Sequence, residues 1–366
     1  MRAPPGVLFV GGGTGGHVYP ALAVAEALRR LKPEVEIAFA GTPERLEGRV
    51  VPQAGYPFYA IPARGLRRRQ WWRNLSLPVV VGRGLGRAWR LLDRIRPYAI
   101  VATGGYVTVP VLSAAVLRGL PYVLQEQNSY PGLANRCFAR WARWVCLGFE
   151  AAAAYFPQTR VRLTGNPVRS EIGTVPRALA AGRWGFSPDR FTVLALGGSL
   201  GAETLNRAMA RWASTFLEAG WQVLWQTGPG AYGRLRSQLP PHPRLYLSPF
   251  LEAMAEAYGA ADVVVCRAGA LTLSELAQAG LPSVLVPSPN VVADHQRRNA
   301  ELFAQAGAAV LLPDQQAEAQ LGYLLQELAA QPERRIRMGV QARQLSRPGA
   351  AETIARLVWE LIEAQL

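Results

Sequence analysis

The chain contains an apolar run that leads directly into a glycine-rich turn, and this feature restricts its possible folds more than any other. The run VLFV at 7–10 is followed by GGGTGGH at 11–17. Glycine permits positive φ angles and a close approach between backbone and ligand. The helix expected after the turn directs free N–H groups at the same point, which is typical of an anion site, most often for phosphate.

A second turn of this kind, Gly197-Gly198-Ser199 after the run VLAL at 193–196, opens the other half of the chain. Short apolar runs alternate with helical patterns in both halves. This alternation predicts an α/β protein with parallel sheets covered by helices, whose ligands bind at the carboxyl ends of the strands. The predicted strands are 7–10, 35–40, 99–102, 121–124, 191–196, 221–225, 263–266 and 283–286, and the predicted helices include 20–31, 205–217 and 272–279.

A length of 366 residues suits two domains better than one. The proline-containing stretch 166–176 is the predicted linker, and Pro348-Gly349 interrupts the chain again before a last helix. We therefore expect domains at 1–168 and 169–346 and a terminal helix at 347–366. The apolar stripe of that helix comprises Ile354, Leu357, Val358, Leu361 and Ile362.

The cysteines and the apolar runs indicate the compartment. The three cysteines, Cys137, Cys146 and Cys266, have neither metal-ligand spacing nor an even pairing, which favours a reducing cytosol. The N-terminus does not resemble a signal peptide. No apolar run approaches the roughly 20 residues that cross a bilayer. We expect a protein that is soluble or lies on a membrane surface.

The formal net charge of +15 is concentrated in one window. Between Arg64 and Arg90 there are eight arginines and no acidic residue, interleaved with tryptophans. Arginine is attracted to anionic lipids and tryptophan prefers the headgroup boundary, so the window predicts peripheral membrane binding. A solvated helix face is the alternative, and nucleic acid is not expected because no nucleic-acid module is recognisable. The basic–aromatic patch comprises Arg67, Arg68, Arg69, Trp71, Trp72, Arg73 and Trp89.

The first glycine turn formally matches the dinucleotide fingerprint, but its context argues against NAD. An NAD site needs an acidic residue at the end of the second strand. That strand ends at Ala40-Gly41-Thr42, and Glu34 and Glu36 lie at its beginning. A Walker motif is also absent, because Lys32 is the only lysine.

The segment CRAGALTLSE at 266–275 is a better nucleotide candidate. It runs from a strand through small residues into a helix, so the N–H groups of 270–272 could hold a diphosphate. Glu275 lies one turn further on and could accept both hydroxyls of a ribose. Alternatively, Glu275 only favours a helix N-terminus, and the residues alone leave both interpretations open.

Five segments in register resemble the MurG family of peptidoglycan glycosyltransferases. They are GGTGGH at 12–17, EQN at 126–128, TGNPVR at 164–169, GGS at 197–199 and RAGALTLSE at 267–275. The resemblance implies the GT-B fold, with two Rossmann-like domains facing a deep cleft and a last helix that returns to the first domain. It also implies that 1–168 binds the acceptor and the membrane, and that 169–346 binds UDP-GlcNAc.

The implied reaction is the inverting transfer of N-acetylglucosamine from UDP-GlcNAc to the muramyl O4 of lipid I, which makes lipid II at the cytoplasmic face of the membrane. The alternatives are a UDP-GlcNAc 2-epimerase, another lipid glycosyltransferase on this fold or, least favoured, an NAD-dependent oxidoreductase. No built-in cofactor is implied.

The resemblance also assigns binding residues. The donor set comprises Thr14, Gly15, Gly16, His17, Asn128, Arg169, Ser199, Phe250, Leu251, Arg267, Ala270, Leu271, Thr272, Glu275, His295 and Gln296. Within it, Phe250 and Leu251 are implied to read uracil, Glu275 to hold the ribose, and His295 and Gln296 to contact the sugar. The acceptor diphosphate is assigned to Gly12, Gly13, Thr14, Gly15, Gly16, Gly104, Gly105 and Tyr106.

An inverting transfer needs one base for the acceptor hydroxyl. His17 is the first candidate, because an unperturbed imidazole has a pKa near ~6.5, and Glu126 is the competing one. Orienting a phosphate or capping the loop is the alternative role for His17. The chain has no Asp-x-Asp pair, so we expect no metal site, and a divalent cation would act only by electrostatic stimulation.

The chain departs from the family pattern at three positions near these motifs. Gln125 replaces a common His, Leu200 replaces the usual Gln, and Val109 replaces a common Gly. The change at Leu200 matters most, because it removes a hydrogen-bonding side chain beside the second glycine turn.

Overall fold

Contacts along the chain divide it into two units. The computed structural model describes residues 6–65, 77–291 and 294–366. The first unit combines Met1–Val168 with Gly349–Leu366, and the second unit is Arg169–Pro348. The chain therefore passes from one unit to the other within the predicted linker, and again at the Pro348-Gly349 break.

The first unit is built on a seven-stranded sheet in the order β3-β2-β1-β4-β5-β6-β7, and all its strand pairs are parallel. Its strands are β1 (Gly6–Gly11), β2 (Glu36–Gly41), β3 (Phe58–Ala60), β4 (Ala99–Gly104), β5 (Tyr122–Glu126), β6 (Trp144–Leu147) and β7 (Val161–Leu163). Its helices are α1 (Gly15–Leu31), α2 (Leu46–Gln53), α3 (Leu77–Ile95), α4 (Thr108–Leu117), α5 (Leu133–Phe138) and, at the C-terminus, α14 (Ala350–Glu363).

Strand β1 contributes to the cores on both faces of this sheet. Val7 and Phe9 pack in the core with α1 and α14, whereas Leu8 and Val10 pack in the core with α3 and α4. Side chains alternate between the two faces of a strand, so a strand with a helical layer on each face must be apolar throughout. The uninterrupted run VLFV therefore reads as a central strand.

Helix α14 belongs to the first unit, as expected. Ile354, Val358 and Ile362 are buried against Val24 and Leu28 of α1. An exposed ion pair of 3.3 Å between Arg30 and Glu352 lies beside this contact. The predicted apolar stripe is thus the surface by which the chain returns to its first unit.

The second unit repeats the design in a six-stranded sheet of order β10-β9-β8-β11-β12-β13, again with every pair parallel. Its strands are β8 (Thr192–Leu196), β9 (Gln222–Gln226), β10 (Leu245–Ser248), β11 (Val263–Cys266), β12 (Ser283–Leu285) and β13 (Ala309–Leu311). Its helices are α6 (Arg177–Arg183), α7 (Glu203–Glu218), α8 (Pro229–Gln238), α9 (Met254–Ala260), α10 (Ala270–Ala279), α11 (His295–Gln305), α12 (Ala317–Ala330) and α13 (Pro332–Gln344).

Each sheet reverses its strand order once, between β1 and β4 in the first unit and between β8 and β11 in the second. In parallel sheets of this kind, ligands bind in the crevice at the carboxyl end of such a switch point. Both glycine turns of the sequence lie there. The α/β class and the two Rossmann-like domains are confirmed.

The first helix begins earlier than predicted. The sequence places its start at Pro20, because proline favours the first helical turn, but α1 begins at Gly15 and contains Pro20. The last two glycines of the turn are therefore helical, and their N–H groups belong to the first turn of the helix.

Candidate active site

The two glycine turns of the first unit are bonded to each other. The Gly12 N–H donates to the Gly104 carbonyl at 3.2 Å. Gly104 and Gly105 both have positive φ angles, of 104° and 91°. A Cβ atom on Gly105 would overlap the carbonyl oxygen of Gly12. Glycine is therefore required where the turns after β1 and β4 meet.

A buried carboxylate, that of Glu47, occupies part of the first turn. Its side chain is 1% exposed, and it accepts the Gly13 N–H at 3.0 Å and the Thr42 N–H at 3.1 Å. A Cβ on Gly12 would overlap this carboxylate. Two of the predicted phosphate donors, Gly12 and Gly13, thus already use their N–H groups within the protein.

The start of α1 is the part of the turn that suits an anion. The first N–H groups of a helix have no intrahelical acceptor, and the helix dipole favours negative charge at that end. Gly15 and Gly16 occupy these positions, and Thr14 is the N-cap residue without a side-chain cap bond. Among the predicted acceptor-diphosphate residues of this turn, Thr14, Gly15 and Gly16 are therefore better placed to bind an anion than Gly12 and Gly13.

His17 is held in one tautomer. Its Nδ1 lies 2.9 Å from the Thr103 carbonyl oxygen and 3.1 Å from Oε1 of Gln127. A backbone carbonyl can only accept, so Nδ1 carries the proton and Nε2 carries the lone pair of the neutral ring. The ring is half-buried. This arrangement prepares Nε2 to accept a proton.

Glu126 has a different environment. Its Oε1 accepts the Asn128 N–H at 3.0 Å and Asn128 Nδ2 at 3.2 Å, while Oε2 accepts the Gly132 N–H at 3.0 Å and Asn135 Nδ2 at 2.9 Å. A carboxylate offers about four acceptor positions, and four donors fill them here. The buried Glu126 therefore holds the loop after β5. This loop contains Asn128, which is one of the predicted UDP-GlcNAc-binding residues.

Gln125, which replaces a His that is common in the family, fits its buried position through hydrogen bonds. The side chain is fully buried, and its Nε2 donates to Asn166 Oδ1 at 2.9 Å. Asn166 Nδ2 donates in turn to the Gln127 carbonyl at 3.0 Å. Gln125 thus connects the end of β5 to the segment that leaves the first unit.

In the second unit, Gln226 links two predicted donor segments. Its Nε2 donates to the Gly198 carbonyl at 2.9 Å, and its Oε1 accepts the Leu251 N–H at 3.1 Å. The glycine turn with Ser199 and the loop with Phe250 and Leu251 are therefore joined at the carboxyl edge of the sheet. A uracil base that accepts a hydrogen bond from the Leu251 N–H would have to displace Gln226 Oε1.

Arg267 is fixed at the end of β11. Its Nη1 donates to the Val286 carbonyl at 2.9 Å and forms a short ion pair with Asp314. The other oxygen of Asp314 accepts the hydroxyl of Thr204 at 3.0 Å. The guanidinium is thus held by Val286 and Asp314, while the Arg267 backbone lies three residues before α10, whose first helical residues are Ala270, Leu271 and Thr272.

Glu275, on α10, is bound at both oxygens. Tyr258 donates its hydroxyl to Oε2 at 2.9 Å, and Arg169 Nη2 lies 3.3 Å from Oε1. The Glu275 side chain is 15% exposed and that of Arg169 is 52% exposed. Burial raises the pKa of Glu275 above its ordinary value, and the charge of Arg169 and the Tyr258 hydrogen bond only partly oppose this rise.

His295 and Gln296 begin α11, next to Asp294, whose φ of 52° is left-handed. Gln296 Oε1 accepts the Ser288 N–H at 2.8 Å and so holds the loop after β12. Asn299, one turn later, donates to the Ala268 carbonyl at 3.3 Å. The predicted sugar-contacting residues therefore lie at the same edge of the second sheet as Arg267.

The other predicted residues have simpler positions. Tyr106 is exposed, and its ring fills the space that a side chain on Gly65 would need. Leu200 is 86% exposed, so the apolar replacement lies in solvent beside the second glycine turn. Val109 lies in the first turn of α4, where its N–H donates to the Tyr106 carbonyl at 3.3 Å.

The basic–aromatic patch lies mostly outside the described residues, which exclude 66–76. Its described member, Trp89 on α3, is 39% exposed, and the Arg118 guanidinium stacks 4.0 Å from the ring centre. A second pair, Arg140 over Trp141 at 3.8 Å, is also exposed. In the described chain, no helix is long and apolar enough to cross a membrane.

Within the ranges 6–65, 77–291 and 294–366, no three His, Cys, Asp or Glu side chains are grouped so that they could hold a metal ion. The two glycine turns, each at a switch point of a Rossmann-like unit, together with the returning helix, are the features of the GT-B class of proteins. Models of glycosyltransferase family 28 match both units: the N-terminal domain model matches residues 7–147 and the C-terminal domain model matches residues 192–354.

Sequence relatives narrow the class. A Salinibacter ruber protein named UDP-N-acetylglucosamine–N-acetylmuramyl-(pentapeptide) pyrophosphoryl-undecaprenol N-acetylglucosamine transferase is 48% identical, over 98% of this chain and 97% of its own. The crystal structure of Acinetobacter baumannii MurG aligns with a TM-score of 0.78 and 31% identity, over 98% of this chain and 100% of its own. The chain belongs to the MurG family of glycosyltransferases, so the predicted family and enzyme class are confirmed.

A structure of Neisseria meningitidis UDP-GlcNAc 2-epimerase bound to UDP-GlcNAc also aligns, with a TM-score of 0.65, over 97% of this chain and 100% of its own. Its sequence identity is 12%, so this likeness shows a shared fold alone. A likeness of fold alone does not favour the epimerase alternative.

Sequence reasoning missed several polar residues at these sites: Glu47, Asn135, Gln226, Tyr258 and Asp314. Most of them act on a residue that is distant in the sequence, as Glu47 acts on Gly13. The only local signal is a polar residue at or soon after a strand end, as for Gln226, and many surface residues share it.

Proposed function

We propose that this chain transfers N-acetylglucosamine from UDP-GlcNAc to the muramyl O4 of lipid I, with inversion at the anomeric carbon, and so makes lipid II. The observation that carries the proposal is the 48% identity, over almost the whole chain, to a transferase with that name. In balanced terms, the O4–C1 bond forms, the bond from C1 to the UDP oxygen breaks, and the O4 proton passes to a base.

We assign the donor to the second unit. At its switch point, β8 is followed by the turn with Ser199, and β11 is followed by Arg267 and the start of α10. Backbone N–H groups and a fixed guanidinium stabilise the negative charge that UDP gains as it leaves. Glu275, in this assignment, accepts the ribose hydroxyls, with its orientation already fixed by two partners.

We assign the base to His17 rather than to Glu126. The Thr103 carbonyl fixes the tautomer of the neutral ring that has its lone pair on Nε2, which suits proton acceptance. Four hydrogen-bond donors occupy the acceptor positions of the Glu126 carboxylate. Glu126 therefore serves to hold the loop that carries Asn128.

The acceptor diphosphate is assigned to the start of α1, where Thr14, Gly15 and Gly16 offer N–H groups. No built-in cofactor or metal takes part in this proposal. Transfer should therefore continue in the presence of a chelator, and a divalent cation should stimulate it only modestly.

Peripheral binding to the anionic inner leaflet, at the cytoplasmic face, follows from the lipid-linked acceptor. The outer face of α3 carries exposed Arg83, Arg87 and Arg90 beside Trp89, which fits a headgroup surface. Vesicle co-sedimentation tests this. Replacing Arg67, Arg68 and Arg69 with Gln should weaken binding to anionic vesicles, whereas the same change at Arg207, Arg211 and Arg236 of the second unit should not. Equal binding of both variants would contradict the proposal.

The function itself is tested by transfer of labelled GlcNAc to a short-chain lipid I analogue, with UDP-glucose and NAD as controls. His17→Ala and Glu275→Ala should abolish transfer. His242→Ala and Glu203→Ala, which change the same residue types elsewhere, should not. Release of epimerised sugar without acceptor, or unchanged transfer by Glu275→Ala, would contradict the assignment.

A further inference from the structure

A tyrosine that none of the family motifs contains reaches the proposed ribose site. Tyr258 lies on α9, which strand β11 separates from the helix α10 that carries Glu275, and its side chain is only 1% exposed. Its hydroxyl donates to Glu275 Oε2 at 2.9 Å. The ring is part of the interior of the second unit, so the hydroxyl has little freedom to turn elsewhere.

The electrostatics make this bond durable. Burial, and then the negative charge of Glu275, hold the pKa of Tyr258 well above its ordinary value, so the phenol remains a donor across the working pH range. The partner on the other oxygen is less constrained, because Arg169 is half-exposed and its contact is longer, at 3.3 Å. Tyr258 is therefore the partner that fixes the orientation of the Glu275 carboxylate.

We propose that Tyr258 is a positioning residue that orients Glu275 towards the ribose hydroxyls of the donor, and thereby sets the preference for a ribonucleotide over its deoxy form. This inference rests on the donor site proposed above. A carboxylate has about four acceptor positions, so each oxygen keeps capacity for one ribose hydroxyl while its protein partner stays in place.

The chain offers a matched control. Tyr122 is also 1% exposed, and its hydroxyl donates at 2.6 Å to the Phe138 carbonyl in the first unit. Tyr122→Phe and Tyr258→Phe each remove one buried hydroxyl and keep the ring. The Tyr122 bond has a backbone acceptor away from the donor site, so only the Tyr258 change should affect nucleotide binding.

Calorimetric titration with UDP and with 2′,3′-dideoxy-UDP is the direct test. Tyr258→Phe should weaken UDP binding about tenfold, as expected for a lost hydrogen bond to a charged group. Binding of the dideoxy nucleotide should stay unchanged. The KM for UDP-GlcNAc should rise by a similar factor, with little change in kcat. Tyr122→Phe should bind both nucleotides as the wild type does.

A pH series adds a readout that a purely structural role would not alter. Without the Tyr258 donor, the pKa of Glu275 should rise further, because that bond opposes the effect of burial. The pH below which UDP binding is lost should therefore be higher in Tyr258→Phe than in the wild type.

Three results would overturn the inference: wild-type UDP affinity in Tyr258→Phe, equal weakening of UDP and the dideoxy nucleotide, or an unshifted pH profile. Failure of the donor site would look different. In that case Glu275→Gln would itself bind UDP as tightly as the wild type, whatever the behaviour of Tyr258→Phe.

Discussion

Replacing the buried Glu47 with Gln tests whether the first glycine turn depends on a carboxylate from outside it. The wild-type side chain accepts two backbone N–H groups, from Gly13 at 3.0 Å and from Thr42 at 3.1 Å. Glutamine keeps one acceptor oxygen and places an NH2 group against the other N–H. One charge-assisted hydrogen bond is lost and one buried donor is left unpaired.

A hydrogen bond to a charged group contributes about 1.5–3 kcal/mol, so we expect Glu47→Gln to lower the free energy of unfolding by about 2 kcal/mol. For a unit of this size, that loss corresponds to a fall in Tm of roughly 4–8 °C. The acceptor KM should rise because Gly13 is no longer held, while UDP binding to the second unit should be unchanged.

Differential scanning calorimetry and steady-state kinetics measure these effects. Glu352→Gln is the matched control, because Glu352 lies in the same unit but in an exposed ion pair with Arg30, and such pairs contribute at most about 1 kcal/mol. If Glu47→Gln melts within a degree of the control and keeps the wild-type acceptor KM, the carboxylate does not organise the turn.

Three further changes test other parts of the fold. Gly105→Ala should destabilise the first unit by an amount on the order of several kcal/mol, because the alanine would have to adopt a positive φ and its Cβ would overlap the Gly12 carbonyl oxygen. A wild-type melting curve would refute this. Ile354→Ala, in the buried face of α14, should cost about 2–5 kcal/mol in denaturant unfolding, and a loss below about 1 kcal/mol would mean that the helix is not anchored there. The pKa of Glu275 is raised in the folded state, so ionising this carboxyl costs more free energy in the folded chain than in the unfolded chain. As the pH rises above 4.5, the wild type should therefore lose stability relative to Glu275→Gln, which cannot ionise. A stability difference that is constant between pH 4 and pH 8 would contradict the burial argument.

Much of the architecture was predictable because its signals are local. The run VLFV and the glycines after it are adjacent in the chain, and adjacency alone predicts a buried strand followed by an anion-binding turn. The same holds for the stripe on α14, whose spacing predicts a one-sided helix. The error in the start of α1 arose because proline is most common in the first helical turn, whereas Pro20 is the sixth residue of α1.

The family resemblance identified the residues at the two switch points, but it did not show how they are held. His17 is given its tautomer by Thr103, which is 86 positions away, and Gly13 is held by a carboxylate 34 positions away. Arg267 is fixed by Asp314, 47 positions further on. No pattern within a window of the sequence marks these partners.

The sequence by itself determined eight of the thirteen strands in the described residues, the glycine turns, the returning helix and the family, but not the strands β3, β6, β7, β10 and β13. Only the tertiary structure decided which polar groups are already paired: that Gly12 and Gly13 donate within the protein, that Glu126 is filled by four donors, and that Tyr258 holds Glu275. The physical reason is that hydrogen bonding is short-ranged and directional. Which donor meets which acceptor is therefore settled only when parallel strands bring distant turns to the same edge of a sheet.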